Sequence, residues 1–375
     1  MKTTLAPQES LPKTLRSVSI IGAGAYLPKR ILTNADLAKL VDTTDEWITT
    51  RTGIKERHIA ADDQATSDLA AEAARRALRQ AGLSAEELDL IIVATITPDM
   101  LCPSTACLVQ KNLGARNAVC FDLGAACPGF LFALETARQF VGSGAVSTAL
   151  VIGADKLSCI TDWEDRATCV LFGDAAGAVV LRNRPGLRGI IATALASDGS
   201  LSHLLYVPGG GSRHPATAQT VKDRLHFLKM AGKEVFKYAV SSMLGAANEV
   251  LRRGGFKISE VDCIIPHQAN MRIIQAIAER LGAPREKYYL TLERTGNISA
   301  ASIPVALDEA VRAGFIKDGD LVLLMSFGAG FTWGATLLEW HTPAPMQEIA
   351  DRALSRRRIA EAQKRRCSIN ASNLW

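Results

Sequence analysis

The 375-residue sequence has no apolar run that approaches the ~20 residues needed to cross a bilayer. Its first residues, MKTTLAPQESLPKTLRS, contain prolines and no continuous hydrophobic stretch, unlike a secretory signal. These two absences argue against a membrane or exported protein, and we expect a cytoplasmic location. Hydrophobic residues make up 48% and charged residues 22% of the chain, which is typical of a globular protein with a large core.

The eight cysteines form no CxxC pair and show none of the Cys/His spacing that marks a metal site. Without an export signal we expect reduced thiols. The sequence therefore predicts neither a disulfide framework nor a bound metal.

The sequence also lacks an excess of charge outside its last residues. The formal net charge is +5, but residues 341–375 carry seven Arg or Lys against three acids. The preceding chain is therefore close to neutral and gives no support to nucleic-acid binding. The basic tail could contact an acidic partner, although a solvated tail is the simpler interpretation.

Predicted strands and helices alternate along the chain. The apolar run Leu88–Thr95 is typical of a strand covered on both faces, and Ser67–Gln80 predicts a helix ended by Gly82. Such alternation indicates a layered α/β architecture, which we expect to end at Trp340. Both halves contain a strand followed by a turn of small residues, which suggests an old duplication. Other predicted elements are strands Gly189–Ala196 and Lys287–Leu290 and helices Asp223–Arg253 and Ile298–Ala313.

Cys127 lies in FDLGAACPGFLFALETARQF, where an apolar strand ends, small residues turn the chain and a helix begins. A thiol at a helix N-terminus lies at the positive end of the helix dipole, which favours the nucleophilic thiolate. Pro128 suits the first helical position because its φ is helical and its missing N–H would be unpaired. This segment alone leaves two interpretations open: covalent catalysis, or a buried cysteine that acts as a small hydrophobe.

Three further segments lie where ligand sites occur in α/β sheets, directly after a strand or at a helix start. His267 follows a predicted strand, a position that is most often structural, and Asn297 is most simply an N-cap. The Gly-rich turn FGAG at 327–330 could form an oxyanion hole or be only a tight turn. The order Cys, His, Asn also occurs in papain-like proteases, but the residues around Cys127 do not fit that family.

Six motifs occur in order between Val18 and Trp340: VDTTDEWITTRTGIKERHIA, FDLGAACPGF, VLFGDAAGAVVL, IIPHQANMRII, GNISAASIPVAL and FGAGFTWG. Together they resemble the β-ketoacyl-acyl carrier protein synthase III enzymes of the thiolase superfamily. The resemblance implies an α/β, thiolase-like five-layered α/β/α/β/α fold from two pseudo-repeated halves, normally a homodimer. The corresponding division is an extension at 1–16, a nucleophile half at 17–196, a His/Asn half at 197–340 and the tail at 341–375.

The resemblance also implies a decarboxylative condensation that initiates fatty acid synthesis, without a metal or redox cofactor. Cys127 would accept the acyl group of an acyl-coenzyme A. His267 and Asn297 would stabilise the enolate formed when malonyl-acyl carrier protein loses carbon dioxide. The backbone N–H groups of Cys127 and Ala329 would form the oxyanion hole. Alternatives are a priming synthase of a polyketide or secondary-metabolite pathway, an acyltransferase to oxygen or nitrogen, and a non-catalytic binding relative.

Other roles rest on the resemblance alone. Arg272 would help to dock the acidic carrier protein. An adenine ring would lie between Trp47 and Arg166. The positions expected to bind coenzyme A are Thr43, Trp47, Arg51, Arg166 and Asn270.

The sequence departs from the family pattern at three positions near the expected site. Pro128 replaces alanine or serine after the nucleophile, and Ala329 replaces the middle glycine of the turn. Cys102 stands where a phenylalanine often closes the acyl pocket across the dimer. A smaller side chain leaves more room, so we expect primers longer than acetyl to be accepted. The 35-residue tail after Trp340 has no counterpart in the typical member.

Overall fold

The computed structural model of the protein describes residues 15–342. No helix in this range is long and apolar enough to span a bilayer. The extension predicted at 1–16 and the tail predicted at 341–375 lie almost entirely outside it.

The secondary structure follows the alternation expected from the sequence. The strands are β1 (Val18–Tyr26), β2 (Arg30–Thr33), β3 (Glu56–Ile59), β4 (Leu90–Ala94), β5 (Val119–Leu123), β6 (Thr148–Lys156), β7 (Asp174–Asn183), β8 (Ile190–Ser197), β9 (Leu205–Tyr206), β10 (Lys229–Met230), β11 (Cys263–Pro266), β12 (Leu321–Gly328) and β13 (Thr332–Glu339). The α-helices are α1 (Asn34–Leu37), α2 (Asp45–Thr52), α3 (Thr66–Ala81), α4 (Thr105–Leu113), α5 (Gly129–Ser143), α6 (Ala218–Lys222), α7 (Gly232–Gly254), α8 (Met271–Leu281), α9 (Leu292–Thr295) and α10 (Ser302–Arg312). Short 3₁₀ helices lie at Ala85–Glu87, Leu157–Cys159, Gly199–Leu204, Ile258–Glu260, Arg285–Lys287 and Ser299–Ala301.

The first large sheet has the strand order β1-β7-β6-β4-β5. Its β4 pairs in parallel with β5 and β6, whereas β7 is antiparallel to β1 and β6. Every residue of β4 is buried, as expected for a parallel strand with helices on both faces of its sheet.

The second large sheet repeats this arrangement, with the order β8-β13-β12-β11. Its successive pairings are antiparallel, antiparallel and parallel, as they are from β1 to β4. At the place of β5, Tyr288 makes an isolated parallel bridge to Ile264. The topology therefore supports the duplication that the sequence only suggested.

Two predicted elements are wrong in extent. The strand predicted at Lys287–Leu290 is reduced to the Tyr288 bridge, because a 3₁₀ turn occupies Arg285–Lys287 and α9 follows soon after. The long helix predicted from Asp223 begins only at Gly232, because Lys229–Met230 pairs with β9.

The position of β8 moves the boundary between the halves. This strand was expected to complete the first half, but it pairs antiparallel with β13 in the second sheet. Gly189, just before it, accepts a hydrogen bond from the backbone of Glu339. We therefore propose that the second half begins near Gly189 rather than after residue 196.

Three hydrophobic clusters define the layers of the fold. Helices α3 and α4 cover the outer face of the first sheet, and α7 and α8 cover the outer face of the second. The middle cluster contains Phe130 and Leu134 of α5, Ile303 and Leu307 of α10, and strand residues of both sheets. The order is therefore helices, sheet, helices, sheet, helices, which confirms the predicted five-layered α/β fold.

Candidate active site

A cavity of about 600 Å³ is lined by residues of both halves. Cys127 reaches it from the start of α5, His267 from the end of β11 and Asn297 from the segment before α10. The three predicted catalytic side chains therefore share one cavity, although 140 residues or more separate Cys127 from the other two.

The chain turns sharply just before the nucleophile. Ala126 has a φ of +49°, in the left-handed region that alanine rarely occupies, and its carbonyl accepts a 2.8 Å hydrogen bond from the Gly129 N–H. Pro128, with a φ of −73°, is the N-cap of α5, one position before its predicted place. A strained backbone conformation of this kind persists only where the surrounding fold holds it in place, and such conformations cluster at functional sites.

Burial keeps the Cys127 thiol protonated. It raises the pKa of Cys127 to about 12, an effect that the nearby Ser299 hydroxyl opposes and the Asp155 carboxylate reinforces. The residue has some contact with the cavity, but the thiol has little solvent around it. The expectation of a thiolate is therefore corrected, because burial disfavours the charged form of the Cys127 side chain.

His267 is held at the end of β11 by a 2.8 Å hydrogen bond from its backbone N–H to the carbonyl of Met325. Burial lowers the pKa of the His267 imidazole to about 3, so the ring is neutral at physiological pH. Its Nδ1 is buried and has no partner among the described residues. A neutral imidazole can donate a hydrogen bond without bringing a positive charge to the cavity.

The backbone of Asn297 forms two hydrogen bonds with the segment just before β7. Its N–H donates to Leu171 at 2.8 Å, and its carbonyl accepts from Gly173 at 3.0 Å. Its side-chain Oδ1 accepts a 3.0 Å hydrogen bond from the backbone N–H of Ser299. This bond orients the amide, because only the oxygen can accept from a backbone N–H, and leaves Nδ2 as a donor. Asn297 is not the N-cap expected from the sequence, because Ile298 is the N-cap of the 3₁₀ turn at Ser299–Ala301 and Ala301 is that of α10.

The glycine-rich turn after β12 lies against the nucleophile. Ala329 lines the cavity next to Gly328 and has no left-handed φ, whereas Gly330 adopts a φ of +137°. Alanine therefore fits at the middle of this turn without strain. Thr332 ties the two turns together, because its hydroxyl is 2.9 Å from the carbonyl oxygens of both Ala125 and Ala329.

The residues expected to bind coenzyme A divide into two groups. Trp47, Arg51 and Asn270 line the cavity, together with the predicted carrier-protein residue Arg272. Thr43 and Arg166 are not among the residues around the cavity. Asn270 is the N-cap of α8, where its Oδ1 accepts a 2.9 Å hydrogen bond from the Arg272 N–H.

Trp47 lies beneath two guanidinium groups. The Cζ atoms of Arg51 and Arg166 are 4.6 and 4.8 Å from its ring centroid. An adenine in contact with both Trp47 and Arg166 would need about 7 Å between them, twice a van der Waals contact. The expected stacking arrangement therefore requires Arg166 to turn away from Trp47.

Cys102 is exposed in the single chain and does not line the cavity. Leu101 beside it is 89% exposed. Any role of Cys102 in an acyl pocket therefore depends on a second subunit.

Sequence reasoning missed Arg57, although it lies inside one of the recognised motifs. Its side chain is completely buried, and burial lowers the pKa of its guanidinium to about 10. It donates hydrogen bonds to the Val170 carbonyl at 2.8 Å and to Asn34 Oδ1 at 2.9 Å. It therefore supports the segment that holds Asn297, a role that an isolated arginine in a sequence does not reveal.

Comparison with known proteins agrees with this architecture. Models of the 3-oxoacyl-[acyl-carrier-protein] synthase III family match residues 121–199, and those of its C-terminal region match 251–340. A β-ketoacyl-[acyl-carrier-protein] synthase III of Caldanaerobacter subterraneus subsp. tengcongensis is 55% identical over 324 residues, which cover 86% of this chain and 98% of that protein. The chain belongs to the β-ketoacyl-acyl carrier protein synthase III family.

Solved structures of the family have the same fold. The 3-oxoacyl-[acyl-carrier-protein] synthase III of Aquifex aeolicus VF5 is 52% identical with a TM-score of 0.81, covering 86% of this chain and 100% of its own. The priming β-ketosynthase of the R1128 polyketide pathway is 36% identical with a TM-score of 0.83, covering 90% and 100%.

Proposed function

We propose that this synthase condenses an acyl-coenzyme A primer with malonyl-acyl carrier protein and thereby initiates fatty acid synthesis. The observation that carries the proposal is the meeting of Cys127, His267 and Asn297 in one cavity beside the turn at Ala329. High identity to β-ketoacyl-acyl carrier protein synthases III supports the reaction class.

In the first half-reaction, Cys127 Sγ attacks the thioester carbonyl of the primer. The enzyme–acyl bond forms, the bond to the coenzyme A sulfur breaks, and the Cys127 proton leaves with coenzyme A as a neutral thiol. The backbone N–H groups of Cys127 and Ala329 stabilise the tetrahedral oxyanion. Because the thiol has a raised pKa, only a small fraction of Cys127 is thiolate near neutral pH.

In the second half-reaction, malonyl-acyl carrier protein loses carbon dioxide. The electrons of the broken carbon–carbon bond move to the thioester oxygen, where His267 and Asn297 Nδ2 donate hydrogen bonds to the enolate. Both donors are neutral, so they stabilise this charge without a strong tendency to protonate it. The enolate carbon then attacks the acyl-cysteine, the bond to Cys127 Sγ breaks, and β-ketoacyl-acyl carrier protein forms. Cys127 leaves as a thiolate and takes up one proton from water, which restores the thiol for the next cycle.

The charges around the cavity fit anionic substrates. Arg51, Lys233 and Arg272 line it, and Trp47 offers an aromatic face. We assign Trp47, Arg51 and Asn270 to coenzyme A, with Thr43 and Arg166 completing its site when Arg166 moves. Arg272 is assigned to the acidic carrier protein, where electrostatic complementarity would speed encounter.

We further propose that the enzyme is a cytoplasmic homodimer. Strand β5 is an edge of the first sheet, its Val119 is 65% exposed, and Leu101 in the segment after β4 is 89% exposed. An open edge strand with exposed apolar residues is suited to cover by a second copy. That copy would also enclose Cys102.

A priming role in polyketide synthesis is the second candidate, since a 36% identical neighbour in the R1128 pathway has that role. The relatives from Caldanaerobacter subterraneus subsp. tengcongensis and Aquifex aeolicus, at 55% and 52% identity, are synthases III of this family, so the fatty acid role is favoured.

The proposal is tested by separating the two half-reactions. The protein is incubated with acyl-coenzymes A of graded length, the acyl-enzyme is weighed by mass spectrometry, and malonyl-acyl carrier protein is added. Cys127→Ser should lose acylation, whereas Cys159→Ser, at an exposed cysteine outside this cavity, should keep it. His267→Ala and Asn297→Ala should acylate without condensing. Normal condensation by either variant would overturn the assignment of the triad.

A further inference from the structure

Gln268 is a completely buried polar residue next to His267. Its Nε2 donates a 2.7 Å hydrogen bond to the carbonyl of Pro266. Its Oε1 accepts hydrogen bonds from the backbone N–H groups of Thr291 at 3.1 Å and Leu292 at 3.2 Å. One side-chain amide thus connects two segments that lie more than twenty residues apart in the sequence.

These segments are the ones that carry the two proposed enolate donors. Pro266 ends β11 and is directly followed by His267. Leu292 begins α9, which ends at Thr295 and is followed by Gly296 and Asn297. The backbone of this short helix is continuous with Asn297, because the Gly296 N–H donates to the Leu292 carbonyl at 3.0 Å.

We propose that Gln268 is a positioning residue that sets the spacing of His267 and Asn297 for the decarboxylation step. This inference rests on the proposed function. A neutral amide suits the position because it supplies the donor and the acceptor that the two backbone segments need. A carboxylate beside His267 would favour the imidazolium, whereas the amide leaves the ring neutral.

Cys127 should be insensitive to this connection. The turn before Cys127 packs against Gly328 and accepts a hydrogen bond from Thr332. Among the residues that the structure describes, neither Gly328 nor Thr332 forms a hydrogen bond with Gln268. Loss of the Gln268 amide should therefore affect the second half-reaction and spare the first.

The test uses Gln268→Met, which keeps the length of the side chain but removes its hydrogen bonds. Acylation is counted by mass spectrometry, and release of carbon dioxide from malonyl-acyl carrier protein is measured per acylated site. We expect normal acylation and a fall of about 100-fold in decarboxylation, the size of effect that a ~1 Å misplacement can cause. The matched control is Gln110→Met, because Gln110 Nε2 also donates to a backbone carbonyl, that of Ala118, away from the cavity.

Gln268→Glu provides a conservative rescue and does not depend on the methionine variant folding. A protonated carboxyl can donate to Pro266 and accept from Thr291 and Leu292, whereas a carboxylate cannot donate. Burial raises carboxyl pKa values, so decarboxylation by this variant should be near normal at low pH and fall as pH rises. Normal decarboxylation by Gln268→Met, equal losses in both half-reactions, or a pH-independent loss in Gln268→Glu would each overturn the inference. Failure of the wild-type protein to condense would instead refute the proposed function.

Discussion

A Cβ atom built on Gly328 would lie 2.9 Å from the backbone nitrogen of Cys127. The end of β12 and the nucleophile turn are therefore in direct backbone contact. The same Cβ would be 2.8 Å from the Pro128 ring, which cannot move without disturbing the start of α5. This contact brings the segment that carries Ala329 against Cys127, and these are the two residues whose N–H groups we propose for the oxyanion hole.

Gly328→Ala should slow acylation of Cys127 by about 100-fold, because relief of the clash must shift one of the two oxyanion donors. The rate is measured by mass spectrometry of the acyl-enzyme. Gly245→Ala is the control, since Gly245 lies within α7 with open space around its Cα. That change should leave acylation intact and stabilise the helix by up to about 1 kcal/mol. Unchanged acylation in Gly328→Ala would show that the turn is not needed.

The raised pKa of Cys127 predicts how the free enzyme reacts with iodoacetamide. With a pKa of about 12, the thiolate fraction rises about tenfold for each pH unit between 7 and 10. The rate of Cys127 alkylation should rise in proportion and reach no plateau in this range, with Cys127→Ser providing the background from other thiols. A plateau near pH 7 would mean that the helix dipole has already produced the thiolate.

The lowered pKa of His267 predicts a pH-dependent stability. The folded-state pKa is about 3 against an ordinary value of 6.5, so the unfolded chain binds the extra proton between these values. The contribution of His267 to the free energy of unfolding is therefore fully present above pH 6.5. It is lost as the pH falls toward 3, at roughly 1.4 kcal/mol per pH unit. Unfolding by urea should show wild type losing stability faster than His267→Gln over this range. If the free energy of unfolding fell equally with pH in the two proteins, the lowered pKa of His267 would be contradicted.

Local patterns in the sequence predicted the layered α/β architecture, whereas the roles of Cys127, His267 and Asn297 came from the family resemblance, because the local patterns left them open. The apolar run around β4 and the helical spacing of α3 specify elements whose environment is uniform along their length. The prediction of a strand at Lys287–Leu290 was wrong because residues Arg285–Lys287 form a 3₁₀ turn. The spacing of apolar residues in the sequence does not indicate such a turn.

The parts of the site that the sequence could not predict depend on tertiary contacts. The thiolate expected at Cys127 rested on the helix dipole, whereas its pKa is raised by burial, and residues far away in the chain such as Gly328 and Asp155 lie near it. Gln268 and Thr332 are ordinary polar residues in the sequence, and only the folded backbone shows which groups they connect.

The small side chain of Cys102 predicts the range of primers. If a second subunit places this residue at the end of the acyl pocket, hexanoyl- and octanoyl-coenzyme A should acylate Cys127 at rates comparable with acetyl-coenzyme A. Cys102→Phe should fill the space and restrict acylation to short primers, whereas Cys107→Phe, within α4, should not. A preference of about 100-fold or more for acetyl-coenzyme A in the wild type, worth nearly 3 kcal/mol, would refute this expectation.

The middle layer has a consequence for folding cooperativity. Helices α5 and α10 come from different halves, yet they share one hydrophobic cluster with strands of both sheets. A fragment ending at β7 would therefore expose the inner face of its sheet and one side of α5, and the complementary fragment would expose the matching surface. Each half has an outer cluster of its own, but the middle cluster is complete only when both halves are present. The intact chain should therefore unfold in a single transition, and two separately produced fragments should be stabilised by associating with each other.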